Sequence, residues 1–246
     1  MTNQANQANQ ANQYTKINQG QLENGMSLLE HANPQPGEVV LDVGCGTGEL
    51  TFELARRVAP GGKVIALDPD AERMAIARKS QPEDIDNIEW VLGDFSTDFI
   101  EAKSKFDLLF SNYVYHWIEQ KEQAVKLTYD CLKVGGRFAM QFVYGLPPVL
   151  LLIREMLNKQ FPMPGDLDQQ WLALFDAQNF DYKNLDNAIP YYHPSIDQLL
   201  DWYDATTAGV CSKANFTQEQ LAELHKQYPG EIYLDHPTLK LVGFKR

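Results

Sequence analysis

Short apolar runs alternate along this chain with longer stretches in which apolar positions recur every three or four residues. Val39 to Val43 reads as a short buried strand, and Lys63 to Leu67 and Ile88 to Leu92 follow as a second and third. Phe106 to Asn112 is almost continuously apolar, the mark of a parallel strand covered on both faces. Helical patterns separate these runs, over Glu49 to Val58 and Glu119 to Lys133, and a fifth strand runs through Val143. Strands alternating with helices predict an α/β fold with a doubly wound, Rossmann-like sheet. At the carboxyl end, Glu231 to Asp235 and Thr238 to Lys245 flank His236-Pro237 and predict an antiparallel hairpin that completes a seven-stranded sheet.

The same pattern divides the chain. Residues 1–13 repeat Asn-Gln-Ala and have no apolar face to offset ordering entropy, so a disordered tail is expected. From Tyr14 the pattern turns helical, with Met26, Leu28, Leu29 and Ala32 available to face a core before Pro34 and Pro36. Residues 14–145 and 229–246 then form the core. Residues 146–228, rich in aromatics and helical spacing, read as a helical cap inserted between strands 5 and 6. In it Val149, Leu150, Ile153, Met156 and Leu157 fit one helix face, and Trp171, Tyr191, Tyr192, Trp202 and Tyr203 add bulk suited to an apolar substrate body.

Charge and cysteine content narrow the partners. A net charge of −12 over 246 residues disfavours a nucleic-acid surface, which needs clustered Lys and Arg. Cys45, Cys131 and Cys211 are odd in number and widely spaced, which suggests neither a disulfide framework nor a CxxC metal site. His31, His193, His225 and His236 have no metal-site spacing, so no metal is expected. No apolar run approaches the roughly 18 to 20 residues that span a bilayer, and no signal pattern opens the chain. A cytoplasmic protein is the expectation, with oligomeric state left open.

The candidate chemistry begins where the first strand delivers Gly44-Cys45-Gly46-Thr47-Gly48 into a helix. Glycines there let the backbone turn tightly and a ligand approach, with helix-start N–H groups facing it. The second strand ends in Asp68-Pro69 and the third in Gly93-Asp94-Phe95, so carboxylates at successive strand ends point into one crevice. An acid about 20 residues past the glycine turn suits a ribose diol. A dinucleotide is the weaker alternative, because its fingerprint spaces the third glycine one residue later and Asp42 before the loop suits an ammonium better than a phosphate.

Leu41-Asp42-Val43-Gly44-Cys45-Gly46-Thr47-Gly48 resembles the first motif of the class I S-adenosylmethionine-dependent methyltransferases. The resemblance implies S-adenosyl-L-methionine as cofactor and S-adenosyl-L-homocysteine as its product. The cofactor set would be Asp42, Gly44, Cys45, Gly46, Gly48, Asp68, Pro69, Asp94, Phe95, Ser111 and Asn112. Asp68 would grip the ribose, and Asp94 with the Phe95 backbone the adenine. Leu132-Lys133-Val134-Gly135-Gly136 resembles the family's Leu-Lys-Pro-Gly-Gly turn, with Val134 in place of proline. Arg73 holds the place where the family often has a methionine, and Met74 comes one residue late.

Tyr14-Thr15-Lys16-Ile17-Asn18-Gln19-Gly20-Gln21 and Ser111-Asn112-Tyr113-Val114-Tyr115-His116-Trp117 are similar to a subgroup of small-molecule carboxyl methyltransferases, the juvenile hormone acid and trans-aconitate types. That similarity implies that Gln21 and Trp117 donate hydrogen bonds to the carboxylate of a small, largely apolar acid of isoprenoid or fatty type. Two alternatives stay open at this level. His116 could serve as a base for N- or O-methylation of another metabolite, or the chain could be a non-catalytic cofactor-binding module.

Overall fold

The structure, a computed structural model, describes residues 19–95, 104–159, 167–185, 189–207 and 209–246. The expected tail and the Tyr14-to-Asn18 part of the substrate motif lie outside them. Helix α1 (Gln19–Ala32) precedes strand β1 (Val39–Val43), which is followed by α2 (Glu49–Val58), β2 (Lys63–Asp68), α3 (Ala71–Ser80) and β3 (Ile88–Leu92). Then come β4 (Phe106–Asn112), a 3-10 turn at Tyr115–Trp117, α4 (Lys121–Cys131) and β5 (Leu132–Val143). The remaining elements are α5 (Pro148–Met156), α6 (Leu167–Ala177), β6 (Phe180–Asn184), β7 (Tyr191–His193), α7 (Ile196–Thr206), α8 (Gln218–Gln227), β8 (Ile232–Leu234) and β9 (Thr238–Lys245).

Seven strands form one sheet in the order β3-β2-β1-β4-β5-β9-β6. β1 pairs in parallel with both β2 and β4, so the chain winds outward in both directions from it. This is the switch point of a doubly wound sheet, where a crevice opens beyond the carboxyl ends of the strands. Leu28, Leu29 and Ala32 of α1 pack with Phe52, Leu54 and Val58 of α2 on one face of the sheet. Leu127 and Cys131 of α4 pack with Trp171 and Phe175 of α6 on the other. Met26, expected in the core, is 36% exposed, because it falls off the stripe that carries residues 21, 24, 25, 28, 29 and 32 inward.

The carboxyl-terminal antiparallel pairing is present with a different distribution of partners. β9 lies antiparallel between β5 and β6, whereas β8 pairs with β7 in a separate two-stranded sheet. The expected all-helical insertion is also mixed. It contributes β6 to the edge of the main sheet, and α6 packs in the main core. The parts of the insertion over the crevice have a core of their own, in which Val149, Leu150 and Ile153 of α5 meet Leu199, Leu200 and Trp202 of α7 and Leu234 of β8. The glycine turn before the fifth strand appears as an irregular start of β5. Its register against β4 shifts between Phe106 and Leu108, Gly135 takes a φ of +75°, and Val134 is exposed. No helix among the described residues is long and apolar enough to cross a membrane.

Candidate active site

A cleft of about 1160 Å³ opens at the switch point, between the strand ends and the insertion. Gly44, Cys45 and Gly46 form its floor, and the loop is pinned from beneath because Gly44 and Cys45 both donate N–H bonds to the Leu67 carbonyl, at 2.7 and 3.1 Å. Gly44 and Gly46 have φ of +74° and +57°, a region in which a side chain is strained. They differ in what a Cβ would meet. At Gly44 it would lie 2.1 Å from Val114, whereas at Gly46, which lines the cleft, nothing stands within 4 Å. Gly48 does not line the cleft. It begins α2 in the left-handed region, where a Cβ would press on Phe52 and Trp90.

Two buried carboxylates face this floor. Asp42 accepts the Thr51 hydroxyl at 2.7 Å, and its carboxyl is pushed up to about 7 by burial, against the lowering effect of that bond and with a further push from the Asp68 charge. Asp68 accepts the N–H of Gly46 at 2.8 Å and that of Asp70 at 2.9 Å. Burial raises its carboxyl above the ordinary range in spite of those bonds. Desolvation disfavours a carboxylate unless a positive charge faces it, so two buried acids beside a glycine cradle suit a cationic ligand. The ammonium and sulfonium of S-adenosylmethionine fit that requirement, and the space over Gly46 fits its close approach.

Of the sequence-derived candidates, Asp42, Gly44, Cys45, Gly46, Asp68, Pro69, Asp94, Phe95 and Asn112 all line the cleft, as do Gln21, His116 and Trp117. Ser111 does not. Its hydroxyl is fully buried and donates to the Val43 carbonyl, joining β4 to β1. Asn112 is braced from two sides, donating to the Gln21 carbonyl at 3.2 Å and accepting from Gln141, so it fixes the inner turn of α1 against the sheet. Met74 is buried with its sulfur 3.5 Å from that of Cys45, and Arg73 lines the cleft instead.

The acceptor side is built from the other wall. Gln21 is 8% exposed, whereas Trp117 is 51% exposed at the cleft mouth, its indole 5.0 Å from the His116 ring. His116 is pushed down to about 3, by burial and then by His236. Leu146, Leu150, Tyr191, Trp202 and Val210 give this side an apolar surface. Arg154 and His236 also line it and escaped the sequence reading. A signal for Arg154 was present, since it interrupts the apolar face of α5 one turn after Leu150. His236 gave none, because only the fold brings it to His116. Among the described residues no group of His, Cys, Asp and Glu could hold a metal ion.

Residues 34–206 match the family model described as a methyltransferase domain. The chain is 26% identical to a trans-aconitate 2-methyltransferase of Rhizobium rhizogenes over 256 residues, covering 95% of this chain and 97% of that one. It is 25% identical to malonyl-[acyl-carrier protein] O-methyltransferase 1 of Ilyobacter polytropus, covering 77% of this chain and 71% of that one. The fold is similar to that of YcgJ from Bacillus subtilis, with a TM-score of 0.64 and 18% identity over 91% of this chain and 98% of that one. With the glycine cradle and cation-seeking carboxylates at the switch point, these matches place the chain in the methyltransferase-domain family, as a class I enzyme that uses S-adenosyl-L-methionine.

Proposed function

We propose that the enzyme transfers the methyl group to the carboxylate of a small, largely apolar acid, which Gln21 and Trp117 orient in the cleft. The observation that carries this reading is that the cleft presents two neutral donors, Gln21 and Trp117, beside an imidazole that burial holds below its ordinary range. An efficient general base has a pKa near the working pH, and an imidazole pushed down to about 3 is a poor proton acceptor for a phenol or an ammonium. A carboxylate needs no such base, being ionised at neutral pH.

When bound, S-adenosylmethionine supplies an electrophilic methyl group on a sulfonium, open to in-line displacement by an oxygen lone pair. The protein's part is to position that oxygen. The Gln21 amide and the Trp117 indole N–H are neutral donors, which aim a carboxylate without neutralising it as a guanidinium would. The segments of the insertion around Leu146, Leu150 and Trp202 act as a cap that covers the acid's apolar body and excludes water. The names of the trans-aconitate and malonyl-acyl-carrier-protein relatives agree with an acid acceptor.

The test is a methyl-transfer screen with labelled cofactor across fatty, isoprenoid and polycarboxylic acids. A base-labile methyl in the product is expected, as for an ester. Label appearing instead in base-stable N-methyl or ether products would overturn the assignment.

A further inference from the structure

His116 and His236 are 120 positions apart in the chain, yet they line the same cleft, and His236 is near enough for its charge to push His116 down, as His193 does to His236. His236 is 9% exposed, and neither of its ring nitrogens has a hydrogen-bond partner; the buried Nδ1 of His116 has none either. Buried polar atoms are nearly always paired. Three orphaned ring nitrogens on one wall of a binding cleft therefore mark a place where a ligand supplies the partner.

The site is built rather than incidental. The Tyr144 N–H donates to the Pro237 carbonyl at 2.8 Å and the Thr238 hydroxyl to the His236 carbonyl at 2.8 Å, so the loop that carries His236 is fixed over the end of β5. The His236 ring is held between Tyr191 and Trp202, at 5.1 and 5.8 Å between centroids. His193 also has an unpartnered ring nitrogen and packs 5.2 Å from Trp202, but it does not line the cleft.

Charge across the cleft decides what the pair would read. Asp42, Glu49, Asp68, Asp70 and Asp94 line the cofactor half together with Arg73, and Glu119 and Lys121 line the stretch after Trp117 with opposite charges. Among the described residues, the charged side chain that the insertion contributes to the lining is Arg154. The half of the cleft that holds the imidazoles thus favours an anion. Two neutral imidazoles, each with one N–H to give, match the two oxygens of a carboxylate.

We propose that His116 and His236 form a second acceptor subsite that holds a carboxylate other than the one methylated, so that the substrate is a diacid with an apolar middle. This rests on the carboxyl-methylation reading above and narrows its substrate class. Both imidazoles are held neutral, pushed down to about 3 and about 4, so they act as donors that bind the distal carboxylate reversibly and leave it unreacted.

The experiment compares straight-chain acids of four to ten carbons in three forms, monocarboxylic, ω-hydroxy and α,ω-dicarboxylic. Initial rates are read with S-adenosylmethionine, and calorimetric binding with the enzyme loaded with S-adenosylhomocysteine. At the best chain length, we expect the diacid to exceed both other forms at least tenfold in kcat/KM. His236→Phe keeps a ring between Tyr191 and Trp202 but removes the nitrogens, and should collapse that ratio through a higher diacid KM; His236→Asn, with a donor restored, should recover part of it. His193→Phe should leave the ratio in place. Undiminished affinity of His236→Phe for S-adenosylhomocysteine reports that the variant is folded.

Monoacids methylated as well as diacids, or a ratio unchanged in His236→Phe, would overturn the subsite and leave carboxyl methylation standing. Equal preference for ω-hydroxy acids would overturn the carboxylate as its ligand. Diacids that bind through His236 without yielding a base-labile methyl would overturn carboxyl methylation and leave the subsite standing. Acids that neither bind nor react in any form would overturn both.

Discussion

The N–H of Gly46 donates to the carboxylate of Asp68 at 2.8 Å, tying the glycine loop after β1 to the end of β2. One carboxylate therefore shapes the cradle it also faces. Asp68→Ala removes the loop tether and the ligand acceptor together. Losing charge-assisted hydrogen bonds of this kind costs about 1.5 to 3 kcal/mol, roughly ten- to over a hundred-fold in affinity. Titration calorimetry with S-adenosylmethionine should read that loss. An unchanged Kd in a folded variant would remove Asp68 from the cofactor site.

Gly44 and Gly46 look equivalent in sequence and should fail differently. A valine at either is strained by positive φ, at about 1 to 2 kcal/mol. Gly44→Val adds a collision with Val114 and should lower Tm sharply. At Gly46 a Cβ meets nothing within 4 Å and the residue lines the cleft, so a valine there projects into the cradle. We expect Gly46→Val to melt only a few degrees early while cofactor binding is lost. Parallel melting and binding measurements separate the two, and equal losses of Tm would contradict the distinction.

How much of this was legible beforehand follows from what each residue's neighbours are. The strands around the glycine turn declared themselves because a parallel strand covered on both faces must be apolar almost throughout. β6 did not, since Phe180–Asn184 is an edge strand that exposes most of its residues and reads as polar. The partner of β8 was equally hidden, because Tyr191–His193 carries too short a pattern to announce a strand. On α1, the buried stripe includes Gln21 and Asn24, polar residues where apolar ones belong. Asn24 is explained by its paired bonds with the Ile189 backbone, at 2.8 Å each way, which anchor the segment before β7. Gln21 faces the cleft. Polar residues on an inward stripe were thus the most informative sequence signal on the acceptor side, and His236 had no equivalent.

Cofactor affinity should depend on pH through Asp42. Its carboxyl, raised to about 7 in the ligand-free enzyme, binds a proton that an arriving cation displaces. Binding therefore releases a proton, and affinity rises as pH rises through 7. From pH 6 to 8 the ionised fraction of such a group climbs from about one-tenth to about nine-tenths, so Kd should fall about tenfold. Asp42→Asn should bind more weakly and flatten the dependence. A wild-type Kd that is flat between pH 6 and 8 would show that Asp42 is already ionised before the ligand arrives.

The acceptor reading is tested most directly at Gln21, Trp117 and His116, which share one wall of the cleft. Trp117→Phe keeps the ring and removes the indole donor, and Gln21→Ala removes the amide. If both orient a carboxylate, each should lower turnover roughly ten- to over a hundred-fold, the equivalent of about 1.4 to 3 kcal/mol in the barrier. Affinity for S-adenosylmethionine should hardly change, because in this reading both groups hold the acceptor and not the cofactor. His116→Gln retains a donor and should be milder. At saturating S-adenosylmethionine, where the Asp42 titration no longer limits cofactor binding, the pH-rate profile should also lack a limb near the ordinary imidazole range, since burial holds His116 neutral there. Initial rates for the three variants, across pH and with the best acid from the screen, decide the matter. Turnover indifferent to Trp117→Phe and Gln21→Ala but lost on removing or titrating His116 would replace carboxylate orientation with general-base chemistry on a phenol or amine. Loss at Gln21 and Trp117 with a flat pH profile is what an acceptor that arrives already ionised requires.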